Sequence, residues 1–123
     1  MFAYEFEEFI ERLIESEKPF IVEGKKDKAA LEKIGAKKVF QIKGPLFKFI
    51  ESLEEFDSVV ILTDLDKEGK KIYGKLAGPL SQRGVKIDNY FREFLLKTKL
   101  SHIEGIETFA RNLKDLRKKQ GKS

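Results

Sequence analysis

The sequence contains no cysteine, one methionine and one histidine. Disulfides, thiolate zinc sites and cysteine nucleophiles are therefore excluded. The lone histidine, His102, excludes a multi-histidine metal cluster and reads as a surface residue. No apolar run approaches the roughly 18–20 residues that span a bilayer. The first residues also lack the pattern of a secretory signal. These absences predict a cytoplasmic chain with no membrane partner. There is no internal repeat and no low-complexity linker, so 123 residues are expected to build one core and one domain.

Charge is abundant. Asp, Glu, Lys and Arg make up 37% of the chain, against roughly 25% in typical globular domains. Lys and Glu carry the excess while Cys, Met, Asn and Gln are scarce, a bias that resembles a thermophile's composition. The net charge of +4 permits a polyanionic partner without requiring one.

The most informative stretch is VVILTDLDKEGKK, residues 59–71. Val59, Val60, Ile61 and Leu62 form a short apolar run that reads as a strand buried on both faces. After Thr63 come Asp64 and Asp66, then Gly69 and a lysine-rich helical pattern. Carboxylates at the carboxyl end of a buried parallel strand stand where open α/β sheets bind ligands. Two held so close repel each other unless a cation or proton intervenes. Mg²⁺, a hard ion that takes oxygen ligands, is the natural neutraliser, with Mn²⁺ as a substitute.

The rest of the chain repeats the alternation. Phe2, Phe6, Phe9, Ile10, Leu13 and Ile14 form a helical stripe at the N-terminus. That helix either packs on the domain or offers a face to a second copy or a protein partner. Beyond Pro19, Phe20–Val22 read as a strand ending in Glu23-Gly24, and Lys25 to Ile34 as a helix stopped by Gly35. A strand over 37–41 and a helix after Pro45 follow. The run at 59–63 is the third strand, and a helix extends from about Lys67 to Gln82, with a kink or break expected near Gly78-Pro79. Val85, Ile87 and Tyr90 suggest a fourth strand, and 91–119 is helical in pattern with a basic end at Lys114, Arg117, Lys118, Lys119 and Lys122. Strands alternating with helices predict an α/β fold: about four mainly parallel strands flanked by helices, with an extra N-terminal helix and C-terminal helices.

In a parallel sheet all carboxyl ends share one edge, and neighbouring strands lie about 4.8 Å apart. If the first and third strands are adjacent, Glu23, Asp64 and Asp66 face one small volume able to hold one or two Mg²⁺ ions. Gly24 and Gly69 follow the acidic turns, where backbone approaches ligand or bends sharply. Lys25, Lys26, Lys67 and Lys70 ring the same edge, and the helix N-termini there offer N–H groups to phosphate. These lysines equally suit an ordinary solvated helix face. Asp27 and Glu68 are secondary candidates, for a second metal or for pairing with a lysine. An acid cluster ringed by lysines suits phosphodiester chemistry.

FIVEGKKDKAAL (residues 20–31) followed by VVILTDLDKEGKK resembles the Toprim domain, shared by topoisomerases, bacterial-type primases, ribonuclease M5 and OLD-family nucleases. The resemblance spans about residues 18–100, leaving an N-terminal helix at about 2–17 and a C-terminal helical segment at about 101–119. It implies a Rossmann-like Toprim fold, Glu23 as general acid or base, and Asp64 and Asp66, with Glu23, around Mg²⁺. It also implies nucleic acid, RNA or DNA, as the partner. Topoisomerases and primases use further domains, so the length favours the nuclease branch, closest to ribonuclease M5 and small stand-alone Toprim proteins. Two alternatives stand: a non-catalytic nucleic-acid-binding module of a larger assembly, and, remotely, a phosphatase with Asp64 as nucleophile.

Overall fold

Alternation along the two central strands decides the layering. In the computed structural model, which describes residues 2–98, 100, 102–108 and 110–112, β1 is Phe20–Val22 and β3 is Ser58–Ile61. Phe20, Val22, Val60 and Leu62 join one buried cluster, and Ile21, Val59 and Ile61 join the other. Side chains of successive strand residues point to opposite faces, so an unbroken apolar run must be covered on both. The helices α1 (Phe2–Glu15), α2 (Lys25–Ile34) and α5 (Tyr90–Leu96) cover the first face. The second is covered by α3 (Leu46–Ser52) and α4 (Lys67–Gln82).

With β2 (Val39–Gln41) and β4 (Lys86–Ile87), the strands form one four-stranded sheet in the order β2-β1-β3-β4. All three pairings are parallel, with Ile21 opposite Phe40 and Ile61, and Val59 opposite Ile87. The predicted α/β architecture is thus present, and the condition placed on the site, adjacency of the first and third strands, is met. The chain runs from β1 outward to β2, returns to β3 and then runs outward on the other side to β4. The strand order therefore reverses between β1 and β3, which opens a crevice at their carboxyl ends.

The N-terminal stripe packs within the chain. Phe6, Phe9 and Leu13 are buried, and Phe9 stacks on Phe94 of α5 with ring centroids 4.7 Å apart and meets the edge of Phe91 at 5.6 Å. Burying a phenylalanine stabilises by roughly 2–3 kcal/mol, and a good aromatic pair adds about 1 kcal/mol. This contact fixes α5 against α1, and Phe91 meets Phe20 of β1 with ring centroids 5.1 Å apart.

Three expectations are corrected. Tyr90 begins α5 rather than ending β4, because the Asp88 carboxylate accepts the Tyr90 N–H at 3.0 Å and turns the chain there. Of the kink or break expected near Gly78-Pro79, the break is absent: α4 runs through Pro79, whose ring removes a single backbone bond, that to the carbonyl of solvent-exposed Lys75. The helical pattern after residue 91 stops at Leu96, where the Thr98 hydroxyl donates to the Leu95 carbonyl at 2.7 Å and accepts the Leu100 N–H at 3.2 Å. Helix resumes over residues 105–108 and 110–112. The basic end and residues 113–119 of the expected helix lie outside the described residues.

Candidate metal centre and active site

The turn after β3 is braced from three directions. Thr63, fully buried, donates its hydroxyl to the Gly69 carbonyl at 2.7 Å. Asp66 caps α4, its carboxylate accepting the Gly69 N–H at 2.8 Å. Gly69 itself abuts the turn: a Cβ placed there would stand 1.8 Å from the Asp64 carbonyl oxygen. Only glycine lets α4 begin this close to the strand end, and what it approaches is backbone. At Gly24 the backbone is extended and a side chain would meet open space. That glycine therefore leaves room on the sheet edge above α2.

Glu23 reaches across from β1 and accepts the Asp64 N–H at 3.2 Å, so the two acidic strand ends are in direct contact. Burial, and next the charges of Asp64, Asp27 and Asp66, raise the Glu23 pKa above its ordinary value against the opposing effect of the Asp64 N–H. Asp27, on the first turn of α2, is also raised, by burial and then by Asp64 and Glu104. It therefore belongs to the acidic edge. Glu68 instead lies 3.6 Å from Lys71 on the exposed face of α4. Lys25, Lys26, Lys67 and Lys70 are exposed around the edge.

Two participants escape sequence reasoning. Arg92 of α5 is only 5% exposed. Its guanidinium donates to the Thr63 carbonyl at 2.7 Å, the Thr63 hydroxyl at 3.0 Å and the Asp64 carbonyl at 3.1 Å. It also lies over the ring of Tyr73, 4.7 Å from the centroid. The available signal was an arginine between Phe91 and Phe94, three residues before Leu95, inside the apolar stripe of a short helix. The second is His102. Its side chain is 58% exposed, as a surface residue's should be, yet Nδ1 lies 3.6 Å from the Asp64 carboxylate. The neighbouring Ile103 N–H donates to the other Asp64 oxygen at 3.3 Å.

Among the described residues, one group has the donors to hold a metal ion: Asp64, Asp66 and His102, whose ligand atoms all lie within 4.8 Å of one another. Glu23 is not a member of that group, although sequence reasoning counted it as a ligand. Its carboxylate is engaged on the backbone of Asp64. Two hard carboxylates and one imidazole fit a divalent cation.

Residues 18–93 match the Toprim domain family. The UPF0292 protein of Pyrococcus horikoshii is 40% identical over 106 residues, spanning 83% of this chain and 79% of that protein. The UPF0292 protein of Methanocaldococcus jannaschii is 31% identical over 115 residues, spanning 83% and 90%. These relatives come from archaeal thermophiles, in keeping with the charged composition. A solved structure of a protein from Aquifex aeolicus matches with a TM-score of 0.75 at 37% identity, covering 80% of this chain and 95% of that one. Among the described residues, no helix is long and apolar enough to cross a membrane.

Proposed function

The chain belongs to the Toprim domain family, and from that premise we propose that it carries out metal-dependent phosphodiester chemistry on nucleic acid, as a nuclease acting on RNA or DNA. One observation carries the reading: parallel pairing of β1 with β3 brings the Glu23 carboxylate onto the Asp64 N–H, beside the Asp64–Asp66 pair. Asp64 and Asp66 hold a divalent ion, Mg²⁺ or Mn²⁺. When bound, such an ion supplies charge neutralisation at the phosphate and a lowered pKa for its water.

The protein's own groups do the remainder. Glu23, with its pKa raised by burial and then by its acidic neighbours, exchanges a proton with water or a sugar oxygen nearer neutrality than an exposed carboxylate does. Lys25, Lys26, Lys67 and Lys70 attract the flanking phosphates. The room above Gly24 admits the strand to the sheet edge. Arg92 fixes the backbone of Thr63 and Asp64, so the carboxylates do not drift as charge develops.

The test incubates the full chain with labelled structured RNA, single-stranded DNA and duplex DNA, with Mg²⁺, Mn²⁺ or EDTA, including a high-temperature arm. Metal-dependent cleavage that both Glu23→Gln and Asp66→Asn abolish supports the proposal. The second variant keeps the helix cap, since asparagine accepts the Gly69 N–H as aspartate does, so its loss would report on charge. Equal inertness of wild type and both variants, with binding to one polymer retained, would overturn the catalytic reading in favour of a binding module.

A further inference from the structure

His102 sits on a segment that is anchored. Ile103 and Ile106, which follow it, are fully buried in the cluster that also holds Phe20 and Phe91. The Ile103 N–H holds one oxygen of Asp64 at 3.3 Å, and the imidazole Nδ1 stands 3.6 Å from the other. That second separation is too long for a hydrogen bond. It is close to what two ligands of one ion require: with metal–ligand distances of about 2.1 Å, neighbouring octahedral corners lie about 3.0 Å apart. A closure of well under one ångström would bring the imidazole to that separation from Asp64. Asp27, close enough to feel the charges of Asp64, Glu104 and His102, adds negative potential on the same side. Asp66 and His102 are exposed, so further coordination positions open to water or substrate.

We infer that His102 is the third protein ligand of the metal centre, and that its nitrogen biases the site toward a borderline divalent ion such as Mn²⁺ over Mg²⁺. This inference rests on the metal-dependent reading above. The physical reason is ligand softness: Mg²⁺ strongly prefers oxygen and keeps its water, whereas imidazole suits the first-row transition ions. Asp64 and Asp66 alone would make an all-oxygen site with no such bias.

The test loads the full chain with Mn²⁺ and records pulsed electron paramagnetic resonance, for wild type and His102→Ala. Because the side chain is exposed, the variant keeps its fold, which a thermal melt checks. The expected wild-type spectrum carries nitrogen modulation from one directly bound imidazole, and His102→Ala loses it. By titration calorimetry, the variant loses about tenfold to a hundredfold in Mn²⁺ affinity while Mg²⁺ affinity moves by less than about threefold. Bound Mn²⁺ without nitrogen modulation in the wild type overturns the role of His102 and leaves the carboxylate site standing. Failure of the wild type to bind either ion overturns both this inference and the reading it rests on.

Discussion

Replacing Arg92 by methionine should cost stability through two backbone carbonyls rather than through a lost ion pair. The substitution keeps most of the stem's volume and removes the fork that donates to Thr63 and Asp64 at 2.7–3.1 Å. Thr63 is fully buried, so water cannot replace the guanidinium there. A buried acceptor left without a donor costs about 1–3 kcal/mol. The second carbonyl is only partly buried and adds less, and deleting the arginine removes its own desolvation cost. The two opposing corrections leave a net expectation of about 1–3 kcal/mol. For a chain of this size each kcal/mol moves the melting temperature by roughly 3–6 °C. Arg92→Met should therefore melt about 5–15 °C below wild type. Arg92→Lys should recover only part of that, since an ammonium cannot reproduce the fork. Urea unfolding followed by circular dichroism, without added metal, measures both. A methionine variant within about 0.5 kcal/mol of wild type, or a lysine variant equal to it, would refute the reasoning.

Two further predictions concern the acidic edge. Gly69→Ala should destabilise by about 3 kcal/mol and abolish metal binding, because its Cβ would meet the Asp64 carbonyl at 1.8 Å; Gly24→Ala, with open space, should stay within about 1 kcal/mol. Urea midpoints and calorimetry compare the two, and equal behaviour would contradict the packing argument. Glu23 has a raised pKa in the folded chain. Between its unfolded and folded pKa values the folded state holds more protons, so this group lowers stability as pH rises through that window. Glu23→Gln should then stabilise the metal-free protein at neutral pH, with an advantage that fades as pH falls through that window and is gone below the ordinary carboxylate range. A stability-versus-pH series on both proteins checks it, and an advantage that grows toward low pH would be the wrong sign.

The layering was legible because Phe20–Val22 and Val59–Leu62 are apolar on both faces, which forces helices onto each side of the sheet. The helix ranges of α2 and α4 match the expected ones, the first because Gly35 stops it. Glu23, Asp64 and Asp66 could be named because an acid after an apolar strand is a local pattern. Arg92 and His102 could not be named in this way. Their roles depend on α5 and the following turn packing over the carboxyl end of β3, a long-range event that no spacing records. The interruption at Leu96 was missed for a different reason. Thr98 competes with the helix through its hydroxyl, and an apolar periodicity that resumes at Ile103 hides the break.

The brace from α5 also bears on timing during synthesis. Proteins are made from the N-terminus, so Glu23, Asp64 and Asp66 leave the ribosome before Arg92 and His102. The face of the sheet that α1 and α2 cover is completed only when Phe91 and Phe94 arrive to meet Phe9. A nascent chain holding all three acids has neither the guanidinium that fixes Thr63 and Asp64 nor the turn that engages the Asp64 carboxylate. The acidic edge is therefore assembled only once α5 and the following turn have been made and docked, and an unfinished chain cannot present it in its final geometry.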